Sequence, residues 1–585
     1  MKMFFWIAVG ISSTVLFWIN LQFPHFIEGI YQNQNFELLN QWAGAQVQEP
    51  LGYYVGRIED VFVGPLTSVV TYVLFAFFCL LYLEKVSGKQ FALAVFFFLL
   101  ITKFSILLYP PYGDAIGGPF AEAIWLAENN FNYAGLIKQP AYHFAGPRVY
   151  FFSIYPSYLA LLLKLIPSTQ IFLIVNHIFV YMMTAVITAL IRQIVRMRFD
   201  SKIASLSSLV ILALPIFQSQ TEAINMEIPC LFFSVWTVYF LCHKRLGEAV
   251  VMAVLSLAVK GYGIILCGSV FFVSLFLFCT QRHKRALWYA LLVPIFPVLI
   301  TAGKFLLKDQ HATAGMMGFL NGLPSLQIMY LSKLYLISLG VFFGTLFWQH
   351  RVLQSIIKSL TDKFYPQLVV FVTAGMWFVL FINYTEVSPR YKLALAPYLV
   401  LCLIFSVFNF SWIKKWATFF LIGAIALTAL GSHGFYHFPL NPNYHIFSER
   451  SLEYRNDLKL NQQLAKVVDT QYFDYKIGAP FIIAQMLAFP QLGYVENDLD
   501  VMVYGILSKY DQLDNVTITK KKMRKTVWIA VAAEMKKNEA FPIGPKDYVV
   551  AEFSQGENRA TLFMGGVAIV QKMNQIYRQI LGGNR

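Results

Sequence analysis

A few ionisable side chains stand at the ends of apolar runs, where a charge is costly unless something uses it. Asp114 lies in YPPYGDAIGG, just past one such run, and Glu222 and Glu227 flank Asn225 in QSQTEAINMEIP, a turn between two others. Lys260 sits in LAVKGYG and Arg390 in SPRYKLALAP, each at the mouth of a further run. Carboxylates beside isolated cations at one membrane face suit a lipid-phosphate substrate. The cations hold the phosphate, and a carboxylate takes the proton of an incoming nucleophile. Each residue also has a plainer reading. Asp114 could cap the helix-like GGPFAEAIWLAENN, Glu222 could be a solvated loop residue, Lys260 could snorkel, and Arg390 could pair with Glu386. Their shared side and depth is the stronger argument.

The composition says what must position them. The chain has 585 residues, of which 57% are hydrophobic and 13% charged. A soluble chain carries about 25% charged residues, so this is a polytopic membrane protein. The net charge of +15 does not mark a nucleic-acid binder, because the basic residues fall in short loops between apolar runs and no nucleic-acid motif accompanies them. The six cysteines lie in or beside apolar runs with no CxxC or Cys/His spacing, which suggests neither a disulfide framework nor a structural zinc. Lys2 before an apolar run resembles a secretion signal, but no small-residue cleavage site follows, so a retained first span is expected.

At ~20 apolar residues per crossing, about thirteen spans are expected. They start near Phe4, Val63, Phe91, Ile171, Ile203, Ile228, Ala249, Ile264, Ala286, Leu326, Leu368, Leu393 and Trp416. Lys85, Lys89, Arg192, Arg196, Arg198, Lys202, Lys244, Arg245, Arg282, Lys284, Arg285, Arg351, Lys358, Lys363, Lys414 and Lys415 then share one side, which is the cytoplasmic one. Glu28, Glu37, Glu59, Asp60, Asp114, Glu122, Glu128, Glu222, Glu227 and Glu386 share the other. An odd count puts the N-terminus inside and the C-terminal part outside. Two regions are expected: a transmembrane domain over 1–432, with interfacial helices in the outer loop 110–170, and a small extracytoplasmic α/β domain over 433–585. In the second, SLEYRNDLKLNQQLAKVVDT has helical spacing, and TVWIAVAA, DYVVAEF and GVAIV read as strands. The polar loop 22–61 shows no chemistry.

In order and topology these segments resemble the GT-C superfamily of polyprenyl-phosphate-sugar-dependent glycosyltransferases, of the protein O-mannosyltransferase and aminoarabinose-transferase type. The landmarks are GDAIGGPFAEAIWLAENN, the interfacial YPSYLALLLKLIP, ALIRQIVRMRF, LALPIFQSQTEAINMEIP, LSLAVKGYG and SPRYKLALAP, covering roughly Lys89 to Phe410. The resemblance implies that Asp114 activates the acceptor. Glu227, or less readily Glu222, is then the second acidic residue, near the acceptor or a metal. It also implies that Lys260 and Arg390, with Arg148 as a further candidate, hold the lipid phosphate. Family members often carry Asp-Glu at the first site, whereas Ala115 follows Asp114 in this chain; a divalent metal is left open and no other cofactor is implied.

The expected function is inverting transfer of a sugar from a polyprenyl-phosphate donor to a protein, lipid or glycan acceptor, at the outer face of the cytoplasmic membrane. A lipid-linked glycan flippase or transporter is the rival from another class. It predicts internal repeats and polar residues near the bilayer midplane, and neither is evident. A glycan polymerase or ligase using a diphosphate-linked donor is the rival within the enzymes.

Overall fold

The computed structural model describes residues 2–43, 45, 47–137, 154–281, 284–299, 364–382, 389–433, 451–504, 528–533, 548–555 and 558–565. Four described helices are long and apolar enough to cross a membrane: Phe5–Gln32, Leu51–Tyr82, Thr169–Arg196 and Gly261–Gln281. The pair Ser201–Leu212 and Pro215–Glu222 makes a fifth if it is read as one span. This is a multi-pass membrane protein. Apolar helices also occur at the other expected span positions, except near Ala286, where the described helix Lys284–Leu292 has nine residues, and near Leu326, which lies outside the described residues. Most of these helices run 10–17 residues, short of a straight crossing, so helix length does not fix the number of crossings at thirteen.

The breaks have local causes. Pro215 forces Leu214 into an extended conformation (φ −57°, ψ 133°), and the two half-helices meet at 65°. Lys260 is likewise extended (φ −152°, ψ 136°), ending the Leu246–Val259 helix before a short 3-10 turn over Gly261–Gly263. The second break falls at Lys260 itself, and the half-helix that follows the first ends at Glu222.

The Thr169–Arg196 helix packs against Gly88–Thr102, Ser201–Leu212 and Glu227–Cys242. Near its C-terminal end the buried Arg192 donates to the carbonyls of Leu83 and Glu84, at 3.1 and 3.2 Å, and to Val86 and Ser205. It therefore satisfies carbonyls at the end of the Gly64–Tyr82 helix that have no intrahelical donor. Its guanidinium also lies 4.6 Å from the Phe91 ring centroid.

Outside this bundle, the helix Tyr454–Gln471 lies against a five-stranded sheet of order β2-β1-β3-β5-β4. The strands are β1 Lys476–Pro480, β2 Asp500–Tyr504, β3 Trp528–Ala533, β4 Tyr548–Gln555 and β5 Asn558–Gly565. β1 pairs in parallel with β2 and β3, and β5 pairs antiparallel with β3 and β4. Thus the expected helix and the TVWIAVAA and DYVVAEF strands are present, while GVAIV lies outside the described residues. This sheet and helix share one apolar core with the loop after the third expected span and with the short apolar helix Ile154–Leu165: Ile116, Phe120, Leu159 and Phe172 pack in the same cluster as Leu458, Leu464, Ile477 and Ile483.

The loop 22–61 is more ordered than its composition suggests. It forms the helices Phe36–Ala43 and Leu51–Ile58, and the second of these abuts β4. Gly52 allows that approach, because a Cβ there would stand 2.1 Å from the Ser554 carbonyl oxygen. Lys459 pairs with Glu59 at 3.0 Å, and Asn456 donates to the buried Asp60 at 2.6 Å. The first spans and the C-terminal unit are tied to each other.

Candidate functional site

Asp114, Glu227, Lys260 and Arg390 come from separate breaks in the bundle and meet. Arg390 opens the 3-10 turn Pro389–Ala394 with Pro389. Its guanidinium donates to Asp114 and lies 3.4 Å from Oε1 of Glu227. Lys260 donates to the same Glu227 oxygen at 2.5 Å. Two cations and two carboxylates thus form one linked network. Glu227 is the first residue of the Glu227–Cys242 helix, where the helix dipole favours a carboxylate. Gly113 has φ 60°, a left-handed conformation that only glycine adopts cheaply, and this turn delivers Asp114 to the network.

Exposure separates the members. The Asp114 side chain is 48% exposed, whereas those of Arg390, Glu227 and Lys260 are buried. Asp114 is therefore the member open to a molecule arriving from outside. The other Glu227 oxygen, Oε2, is buried with no hydrogen-bond partner among the described residues, and the same holds for the hydroxyl of Tyr155 on the helix Ile154–Leu165. Two unsatisfied polar atoms at such a site are costly unless a ligand completes them.

Aromatic rings wall the cations. The Lys260 ammonium lies 4.2 Å from the Tyr391 ring centroid and 5.2 Å from that of Tyr262. Arg390 lies 5.0 Å from the Tyr391 centroid and donates to its hydroxyl at 3.2 Å. Lys260, Tyr262 and Tyr391 also line a cavity of about 720 Å³, together with Ile265, Phe271, Pro294, Val298 and Met376. A cation at the mouth of an apolar cavity fits a molecule with an anionic head and a hydrocarbon tail.

Glu222 has different partners. It is buried and accepts from both nitrogens of a fork, Arg455 Nε at 2.9 Å and Nη2 at 2.8 Å, while Lys103 also donates to it. A solvated loop position does not describe it: this carboxylate joins the span end at Lys103 to the C-terminal helix Tyr454–Gln471. Arg148 lies outside the described residues, as does Glu386. Asp114 lies in the first turn, before the irregular segment Ile116–Phe120, and accepts a hydrogen bond from Arg390. Lys103, Arg455 and Tyr262 are not among the residues the sequence singles out, whereas Tyr391 stands beside Arg390 at the mouth of its run. YKLALAP and KGYG do place each tyrosine beside its cation, and that adjacency is the signal they carried.

Among the described residues no three His, Cys, Asp or Glu side chains are grouped to hold a metal ion. Arg390 bridges Asp114 and Glu227, and a guanidinium between two carboxylates does not fit a resident cation.

No protein-family model matches the chain, and no curated protein does. Among solved structures, the chain is similar to the crystal structure of ArnT from Cupriavidus metallidurans bound to undecaprenyl phosphate, at 14% sequence identity and a TM-score of 0.46. The match covers 81% of this chain and 97% of that one. At that identity and superposition, the likeness says nothing about what this chain acts on.

Proposed function

We propose that the chain is a membrane glycosyltransferase of the polyprenyl-phosphate-sugar-dependent kind, acting at the outer face of the cytoplasmic membrane. The observation that carries this reading is the network of Asp114, Arg390, Glu227 and Lys260 at the mouth of an apolar cavity. The polyprenyl chain lies in the cavity, and its phosphate meets Lys260 and Arg390. Tyr262 and Tyr391 shield these cations from water and so strengthen their hold on an anion. Glu227 keeps both cations in place, and its free oxygen, with the Tyr155 hydroxyl, is available to sugar hydroxyls.

In the reaction, Asp114 takes the proton of an acceptor hydroxyl. The acceptor oxygen attacks the anomeric carbon as the bond from that carbon to the phosphate oxygen breaks. The leaving phosphate keeps the bonding electron pair, and its growing charge is stabilised by Lys260 and Arg390. A single displacement inverts the anomeric configuration. Before donor binds, Arg390 occupies Asp114; the arriving phosphate competes for Arg390 and frees the base, so ionic pairing keeps the site idle until donor is present. The test is to incubate purified protein with a radiolabelled polyprenyl-phosphate sugar and a mixture of envelope acceptors. Appearance of free lipid phosphate with label in an acceptor supports the reading; intact donor with every sugar and acceptor class tried would remove it.

A further inference from the structure

The candidate base sits on a loop held mainly by the C-terminal unit. Tyr109 to Asp114 contains Pro110 and Pro111, which carry no backbone N–H, so regular hydrogen bonding cannot fix it. Side chains hold it instead. Tyr494 donates from its hydroxyl to the Pro111 carbonyl at 2.8 Å. Tyr112 donates to Asp457 Oδ2 at 2.6 Å, and its ring lies 5.3 Å from that of Tyr454. On the membrane side, His177 bonds the Tyr109 carbonyl at 3.0 Å. Tyr494, Asp457 and Tyr454 all belong to the segment after the last described span, and their partners lie two or three residues from Asp114.

We propose that this outer clasp sets the position of Asp114: Asp457 and Tyr494 are positioning residues for the base, and the C-terminal unit is a working part of the active site. The proposal rests on Asp114 being the base in the transferase reading above. Two independent fastenings, at Pro111 and Tyr112, immediately precede Gly113, whose left-handed conformation makes the turn. Loosening them lets the turn relax, and a small displacement of a base lowers turnover while Lys260 and Arg390 still hold the lipid phosphate. The Arg455–Glu222 pair anchors the same helix from below, so the helix has a fixed point against which to hold the loop.

The test uses the full chain in detergent or nanodiscs, with Asp457→Ala, Asp457→Asn, Tyr494→Phe and the double variant Asp457→Ala/Tyr494→Phe. Hydrogen exchange is followed in peptides covering 109–116, alongside donor kcat and KM. The clasp predicts exchange about fivefold to tenfold faster in that segment in the double variant, with little change in the membrane helices. It predicts a kcat lowered about tenfold at unchanged donor KM, and recovery with Asp457→Asn, which keeps an acceptor for Tyr112. Unchanged exchange over 109–116 would overturn the clasp, as would equal losses in Asp457→Ala and Asp457→Asn. If the wild-type protein turns over no donor, the transferase reading fails, while the exchange measurement still judges the clasp.

Discussion

Arg390 donates a hydrogen bond to Asp114 across 276 residues of sequence, joining the residue expected to bind phosphate to the residue expected to take a proton. The same guanidinium faces Glu227, so its planar fork spans two carboxylates while its face meets Tyr391. A lysine reaches one of these partners at a time. Arg390→Lys is expected to raise donor KM roughly tenfold, equivalent to about 1.4 kcal/mol, with a smaller effect on kcat. Initial rates across donor concentration check this, and an unchanged KM would remove Arg390 from the donor site.

Lys260 bears on binding more directly. Its ammonium is buried between Glu227, Tyr262 and Tyr391 at the cavity mouth. A hydrogen bond to a charged group contributes about 1.5–3 kcal/mol, so Lys260→Met should weaken binding of a polyprenyl phosphate by ~10–100-fold. Microscale thermophoresis with a fluorescent lipid phosphate reads this. Equal affinity in the two proteins would place the phosphate elsewhere.

Glu222 is expected to matter for stability. Lys103→Met leaves the Glu222–Arg455 pair intact, whereas Glu222→Gln strands two cations in a buried setting, at a cost of about 3–5 kcal/mol. Thermal unfolding in detergent should show Glu222→Gln much the weaker of the two. Protein that remains folded should still turn over donor. A stable but inactive Glu222→Gln would return this residue to the catalytic candidates.

The C-terminal helix carries a pH signature. Burial raises the Asp457 carboxyl from 3.8 to about 7, against the pull of the Tyr112 hydrogen bond and aided by Glu453. Between those values the folded state holds a proton that the unfolded state has lost, so stability falls as pH rises through the window and levels off above it. The C-terminal unit should therefore unfold at higher urea at pH 5 than at pH 8. Asp457→Asn should shrink that difference; a variant with the same pH dependence as wild type would show that Asp457 is not its source.

The sequence made the site legible where charge and topology coincide. Asp114, Glu227, Lys260 and Arg390 each sit at a span end on the acidic side, and span ends of one face are neighbours in a bundle. Glu222 satisfies the same description, which is why it was grouped with them. What separates it is Arg455, a partner 233 residues away in a soluble-looking helix that no span pattern relates to the membrane. The tie between the loop 22–61 and the C-terminal unit was hidden for the same reason, because Glu59 and Asp60 look like ordinary loop acids until Lys459 and Asn456 are beside them. β1 and β2 escaped notice because KIGAP and DVMVY are short and lack a polar–apolar alternation, as expected of strands paired in parallel. Strand β3, with its longer apolar run, and β4, at the sheet edge, were readable.

The central claim is that Asp114 is the base while Lys260 and Arg390 hold the donor. Single-turnover transfer with saturating radiolabelled donor, comparing wild type with Asp114→Asn, tests it most directly when donor binding is measured on the same samples. Asp114→Asn is expected to bind donor at least as tightly as wild type, since Arg390 loses a competing carboxylate, while sugar transfer slows by at least ~100-fold. Transfer at the wild-type rate by Asp114→Asn would contradict it.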